Sequence, residues 1–200
     1  MIPKQGSTSK KLYVVKGSTL EEINTMMEKI GPKDPNASRR YSGSCLGEIA
    51  IAIGAKDFDF ETTPDKTPIE VTATLKAGTA TSNSIITMPK LATEKALSPD
   101  ALKEWKRFLV KVLLHENGHA DSYYDLAVDI AKEFDALSAK GTGKDERTAQ
   151  MVAQKALLDL MSKTFTVADL SDRVKKDALA YDKKTDHGAK QGAVLDTSIT

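Results

Sequence analysis

Cysteine is almost absent from this chain of 200 residues, and Cys45 is the only one. A single cysteine excludes an intrachain disulfide and a zinc site built mainly from thiolates. The residues around Cys45 do not form the elbow signature of a catalytic nucleophile. A small buried side chain in a strand is therefore the preferred interpretation.

Charge of one sign and long apolar segments are lacking as well. The 29 basic and 28 acidic side chains leave a net charge of +1, so neither nucleic acid nor an anionic membrane is expected as partner. No run approaches the roughly 18 apolar residues of a membrane-spanning helix. The first residues also lack the apolar core of a secretory signal, which fits a soluble mature protein.

Histidine is scarce too, but two of the three histidines stand in one motif. His115, Glu116 and His119 form a His-Glu-x-x-His pentapeptide in a segment with helical periodicity. Residues four apart lie on the same helical face, so both imidazoles can bind one metal ion, for which zinc is predicted. Glu116 then reaches a metal-bound water and serves as general base in the hydrolysis of a peptide or amide bond.

The two imidazoles continue an apolar stripe of the same helix. This stripe has spacings of three and four residues and consists of Ala101, Trp105, Phe108, Val112, His115 and His119. A buried imidazole without a hydrogen-bond partner or a metal costs on the order of 1–3 kcal/mol. We therefore favour a metal site over a pair of structural histidines.

Periodicity and turn residues predict one α+β domain over residues 1–200, and the His-Glu-x-x-His motif, which is typical of zincins, makes a zincin-like fold the expectation. The N-terminal lobe, about 11–90, is expected to be a small, mostly antiparallel sheet with one helix at 19–30 that begins with overlapping capping boxes. Strands are predicted at 11–16, 41–53, 58–62, 69–76 and 84–88, with a loop at 31–38. The C-terminal lobe, about 98–192, is expected to be helical, with helices at 98–120, 121–139, 146–163 and 167–181. Gly118 allows a bend in the motif helix, and the cleft is expected between the lobes.

A catalytic zinc needs a third protein ligand, and the residues alone leave three candidates. His187 follows the last helix in a polar turn. Asp125 has the six-residue spacing from His119 that metzincins use, although Ser122 stands where those proteins have glycine. Glu133 lies fourteen residues after His119, on a return helix in the manner of thermolysin-like enzymes.

Several motifs together resemble a bacterial family. They are Tyr13 with Gly17, Gly31-Pro32, Tyr41-Ser42-Gly43, Met88-Pro89, Trp105 with Phe108, the His-Glu-x-x-His helix, and Tyr181-Asp182-Lys183-Lys184-Thr185-Asp186-His187-Gly188 with Gln191-Gly192. Over about residues 11–192 this set resembles the bacterial domain-of-unknown-function family nine-two-two. The helix motif and the late Tyr-Asp-x-x-Thr-x-His-Gly segment are its most specific parts, and both are intact.

The resemblance implies a periplasmic or secreted zinc-dependent protease that is usually made with an export signal and acts on a protein or peptide. It also implies that His187 joins His115 and His119 around one zinc ion. Members often carry further cysteines, whereas this chain has only Cys45. A disulfide-stabilised version of the fold is therefore not expected here.

The expected mechanism adds further residues to the site. Tyr181 is expected to stabilise the oxyanion, because a phenol donates a hydrogen bond without titrating near neutrality. The carboxylates expected to orient the histidines are Asp121, Asp125 and Asp186. The substrate is expected to lie along a sheet edge at Ser84 to Met88. Two alternatives are a catalytically silent, metal-stabilised protein-binding module and a helical scaffold without metal; the sequence gives no indication of oligomeric state.

Overall fold

The computed structural model describes residues 1–33 and 40–200. Within these residues the strands and helices follow the order β1 Ile2–Val15, α1 Leu20–Ile30, β2 Ser44–Ala52, β3 Phe58–Thr63, β4 Ile69–Leu75, β5 Thr79–Leu91, α2 Pro99–Asp135, β6 Ser138–Gly143, α3 Glu146–Thr164 and α4 Val167–Thr185. The strands form two three-stranded sheets, β1-β5-β2 and β3-β4-β6. The predicted α+β class with a helical C-terminal half is confirmed.

Helix α1 forms where its capping residues predict it. The Thr19 side chain accepts a hydrogen bond from the Glu22 amide at 3.2 Å, and the Glu22 carboxylate accepts one from the Ser18 amide at 2.7 Å. These contacts satisfy backbone donors that an isolated first turn leaves unpaired. One face of the helix is buried through Leu20, Ile23 and Met27. The loop predicted at residues 31–38 lies largely outside the described residues.

Helix α2 carries the histidine motif and is longer than predicted. The Ser98 hydroxyl accepts from the Ala101 amide at 3.2 Å at its start, and the whole predicted stripe is buried, from Ala101 to His119. The helices expected at 98–120 and 121–139 are one helix of 37 residues, so the separation at residue 120 was wrong. The buried stripe simply continues through Tyr123, Ala127, Ile130 and Phe134, and this tertiary burial outweighs the low helix propensity of Gly118.

The sheets depart from the prediction in several places. The strands form two sheets rather than one, and β1 begins at Ile2 rather than at Lys11. Strand β6 was not predicted, because Gly141 and Gly143 indicate a turn between helices rather than a strand. It pairs antiparallel with β4, and Gly141 lies opposite Val71. Strand β5 was expected to offer a free edge at Ser84 to Met88, but it is the central strand of its sheet. Both of its sides already bind neighbouring strands, so the substrate-binding edge cannot lie there.

The chain folds into two compact units. The first consists of Met1–Gly6, Glu48–Ser82 and Tyr123–Lys175, and here α3 packs on β4 and β6 while Phe134 stacks on Phe165. The second consists of Ser7–Gly47, Asn83–Ser122 and Lys176–Thr200, and within it lie His115, Glu116, His119, Tyr181 and His187. In the described part of the chain, no helix combines the length and apolarity needed to cross a bilayer. The single domain with a cleft between two lobes stays a prediction.

Candidate metal centre

Three potential metal ligands converge between α2 and α4. His115 and His119 are 6% and 5% exposed on α2, and Asp182 lies in the last turns of α4. The Oδ1 atom of Asp182 is 3.2 Å from Nε2 of His115 and 3.1 Å from Nε2 of His119. The donor atoms all lie within 4.8 Å of one another. The four-residue spacing therefore brings both imidazoles to one group of potential metal ligands, as the motif predicts.

The chemistry of these donors fits a cation. Two imidazole nitrogens and one carboxylate oxygen face each other, and without protons or a positive ion their lone pairs would repel. Two nitrogens and one oxygen are a donor set that zinc and other first-row divalent metals accept. The arrangement therefore supports a metal site formed by His115, His119 and Asp182.

The same contacts shift the acid–base behaviour of the cluster. Burial alone would lower the pKa of His115, but the hydrogen bond to Asp182 and the charge of Glu116 outweigh it and raise that pKa. Burial alone would raise the pKa of Asp182, yet hydrogen bonds to His115 and His119 hold it well below the ordinary range. The surroundings of Asp182 therefore favour its ionised form, with positive charge beside it.

His187 lies next to this group but outside it. Its Nδ1 is 3.4 Å from the second oxygen of Asp182, and its ring stacks on Tyr41 with the ring centroids 5.6 Å apart. A turn of positive φ at Asp186, His187 and Gly188 (53°, 49° and 83°) places the imidazole there. The assignment of His187 as a ligand stays a prediction.

Asp182 is the site residue that the sequence did not reveal. It belongs to the Tyr-Asp-x-x-Thr-x-His-Gly segment, which was the available signal, but the histidine of that segment is the more typical zinc ligand. The alternatives Asp125 and Glu133 are not in the metal group, and Glu133 binds the Arg173 guanidinium at 2.8 Å through both oxygens. Asp121 and Asp186 are exposed.

Glu116 is buried beside the cluster with 4% of its surface exposed. A Cβ atom on Gly43 would lie 2.7 Å from Oε1 of Glu116, so a side chain larger than that of glycine does not fit at position 43 unless Glu116 moves. Burial raises the pKa of Glu116 to about 7, the charge of His115 opposes this rise, and the charge of Asp182 adds to it.

Cys45 is confirmed as a buried residue of β2. Burial and the charge of Glu116 raise the pKa of its thiol to about 12.

The raised pKa of Glu116 predicts a pH-dependent effect on stability in the metal-free protein. The folded state binds this proton more tightly than the unfolded state, so ionisation lowers the free energy of unfolding as pH rises between 4.5 and 7. Glu116→Gln should therefore stabilise the chelator-treated protein at pH 8 by up to about 3 kcal/mol, and hardly at all at pH 4. Denaturant unfolding at both pH values measures this, with exposed Asp121→Asn as the charge-matched control. An equal effect at both pH values would contradict it.

Tyr181 packs directly on the histidine motif. Its ring stacks on His115 with the ring centroids 5.3 Å apart, and it meets His119 edge-on with the centroids 4.7 Å apart. A Cβ atom on Gly118 would overlap the phenol oxygen of Tyr181. The glycine inside the motif therefore serves close approach of Tyr181 rather than a bend in the helix.

Comparison with known proteins agrees with the motifs described above. Neither curated proteins nor solved structures give a match to the chain, so the zincin-like character of the fold stays a prediction. The family model described as "Bacterial protein of unknown function (DUF922)" matches residues 10–188. Because the match spans most of the chain, the protein belongs to this bacterial family.

Proposed function

We propose that this protein is a zinc-dependent peptide-bond hydrolase. The observation that supports this most directly is the position of Glu116, a buried carboxylate with a pKa of about 7 beside three converging metal-ligand atoms. A site that only holds structure has no use for such a carboxylate and fills its coordination with protein. Glu116 therefore argues against a catalytically silent, metal-stabilised binding module.

His115 and His119 would hold the zinc ion through Nε2, and Asp182 through Oδ1. When bound, zinc supplies Lewis acidity toward water and toward the scissile carbonyl. Asp182 brings the only carboxylate of the set, so it lowers the net charge of the site from that of a dication to one positive charge. His187 contacts the far oxygen of Asp182 and would orient that carboxylate, as a partner outside the coordination shell does.

Glu116 would move the proton during hydrolysis. A general base works best when its pKa lies near the operating pH, and burial brings the Glu116 carboxyl there. A cation in the neighbouring site lowers this pKa, so the carboxylate is ionised and ready to accept a proton from water near neutrality. The same carboxyl then gives the proton to the leaving amine.

Tyr181 would donate a hydrogen bond to the oxygen that becomes negative when the carbonyl is attacked. Its ring is held against both histidines, which places the phenol at the edge of the metal site. A donor held in place before the reaction stabilises the developing charge without reorganisation.

The substrate in this proposal is a protein or peptide that is bound outside the cytoplasm, in the periplasm or after secretion. Strand β2 is an edge strand in the order β1-β5-β2 and begins directly after Gly43, where an added Cβ atom would meet the Glu116 carboxylate. An extended peptide could add to this edge through backbone hydrogen bonds. We assign no role to nucleic acid or to a membrane span.

The proposal is tested by loading the metal-free protein with Zn²⁺ and adding a pool of internally quenched peptides. We expect about one bound zinc per chain and hydrolysis that chelation stops and Zn²⁺ restores. Zinc binding without any hydrolysis would favour the binding module. Absence of zinc binding would remove both readings.

A further inference from the structure

One side chain connects the metal site to Tyr181. Gln191 lies in a single 3-10 turn, Ala189–Gln191, just after the turn that positions His187. Its Oε1 is 3.0 Å from Nδ1 of His115, and its Nε2 is 3.1 Å from the phenol oxygen of Tyr181. The contact with His115 is on the ring nitrogen opposite to the one that faces Asp182.

The buried hydroxyl of Thr185 determines the donors and acceptors in this row of hydrogen bonds. Thr185 donates its hydrogen to the Tyr181 carbonyl oxygen at 2.9 Å, so only a lone pair remains for Nδ1 of His115 at 3.5 Å. Nδ1 therefore carries a hydrogen, and the group of Gln191 that accepts it is Oε1. With a cation bound, Nε2 of His115 would keep its lone pair for the metal; without one, a proton on Nε2 makes the hydrogen bond to Asp182.

The geometry of the Gln191 amide determines the direction of the remaining hydrogen bond, to Tyr181. With Oε1 used by His115, the NH₂ group of Gln191 donates to the phenol oxygen of Tyr181. The phenol accepts there, and its own hydrogen remains available for a further acceptor. This hydrogen is the one that the proposed oxyanion contact needs.

The backbone after Gln191 is fastened to the helix that carries His115. Arg107 of α2 donates to the carbonyl oxygens of Gly192 and Val194 at 2.8 and 2.6 Å. Glu104, buried on the same helix, pairs with Arg107 and accepts from the Asp196 amide at 2.9 Å. Gln191 is therefore held against His115 before any ligand binds.

We propose that Gln191 is a positioning residue that orients His115 for metal binding and turns the Tyr181 hydroxyl toward the substrate. The inference rests on the hydrolase proposed above and assigns a further residue to that site. Gln191 touches neither the metal nor the substrate and acts through the two side chains on either side of it.

Two substitutions separate the two halves of this role. Gln191→Leu removes both contacts, so Zn²⁺ should bind about 10–100-fold more weakly in competition with a chromophoric chelator. Gln191→Glu still accepts from Nδ1 of His115, so Zn²⁺ affinity should be kept. Its carboxylate, however, captures the phenol hydrogen, so kcat on the quenched peptides should fall about 10²–10³-fold with KM unchanged, as in Tyr181→Phe.

The matched control is Val194→Ala, which shortens an exposed side chain of the same segment and should change neither quantity. The inference is overturned if Gln191→Glu weakens zinc binding as much as Gln191→Leu, or if it keeps full kcat. Nitrogen NMR of His115 near neutral pH gives a readout that needs neither metal nor activity. Nδ1 of the wild type should carry a proton whether or not Nε2 is protonated, and an unprotonated Nδ1 would also overturn the inference.

The same measurements distinguish this inference from the hydrolase proposal. If the wild type does not bind Zn²⁺, the hydrolase proposal fails, and the NMR experiment still decides which ring nitrogen Gln191 contacts. If the wild type binds Zn²⁺ and hydrolyses peptides but both Gln191 variants behave like Val194→Ala, only the role of Gln191 fails.

Discussion

Glu116→Gln should retain one zinc ion and lose peptide hydrolysis by about 10²–10⁴-fold in kcat, the range attributed to a positioned general base. Glutamine has nearly the same shape as glutamate, so it fits the space beside Gly43, but it cannot accept a proton from water. The metal ligands are untouched, because Glu116 is not among the three converging donors. Zinc content and initial rates on quenched peptides measure the two effects.

Asp121→Asn provides the control for this experiment. It removes the same charge from the same helix at an exposed position and should leave rates and zinc content unchanged. Full activity in Glu116→Gln would exclude the proposed mechanism, whatever the metal content. Loss of zinc in this variant would instead mean that Glu116 supports the metal site.

Asp182→Ala should weaken Zn²⁺ binding by more than about 100-fold, which exceeds the 10–100-fold attributed to partners outside the coordination shell. The reason is that Asp182 provides one of three donor atoms and leaves two imidazole nitrogens without a negative partner. His187→Ala removes a contact to the second carboxylate oxygen of Asp182 but none of the three converging donor atoms, so its effect should stay within 10–100-fold. Chelator competition on the purified variants gives both numbers.

Asp186→Asn, at an exposed neighbour in the same turn, is the control for both variants, because it removes a charge and tolerates the positive φ of residue 186. The reverse order of effects, with His187→Ala losing more affinity than Asp182→Ala, would assign the third ligand to His187. This is the ligand that the family resemblance implies, so the pair of variants decides between the motif and the geometry.

Local features of this protein were predictable because they depend on neighbouring residues. The capped start of α1 and the buried stripe of α2 each follow from a cap or a period within one segment. The convergence of His115 and His119 belongs to the same class, since one helical turn determines it.

Features that depend on distant segments were not predictable in this way. Asp182 reaches the histidines because α4 returns to α2. Its place in the Tyr-Asp-x-x-Thr-x-His-Gly segment was a signal, but no helical period or cap in that segment assigns Asp182 rather than His187 to the metal. The glycines of β6 suggested a break because their pairing partner, β4, lies about 70 residues away, as in the register of Gly141 with Val71. Strand β5 looked like a free edge because sheet order is not encoded in a single strand.

The separation of the donors along the chain couples metal uptake to folding. His119 and Asp182 are 63 positions apart, and Gln191 lies 76 positions after His115. An unfolded polypeptide carries the His-Glu-x-x-His segment but not the assembled trio, so under the proposal its affinity for zinc would be much lower than that of the native protein. By mass action, each bound ion would then shift the equilibrium toward the native state. A chain that crosses a membrane unfolded would accordingly acquire its metal only after refolding on the far side.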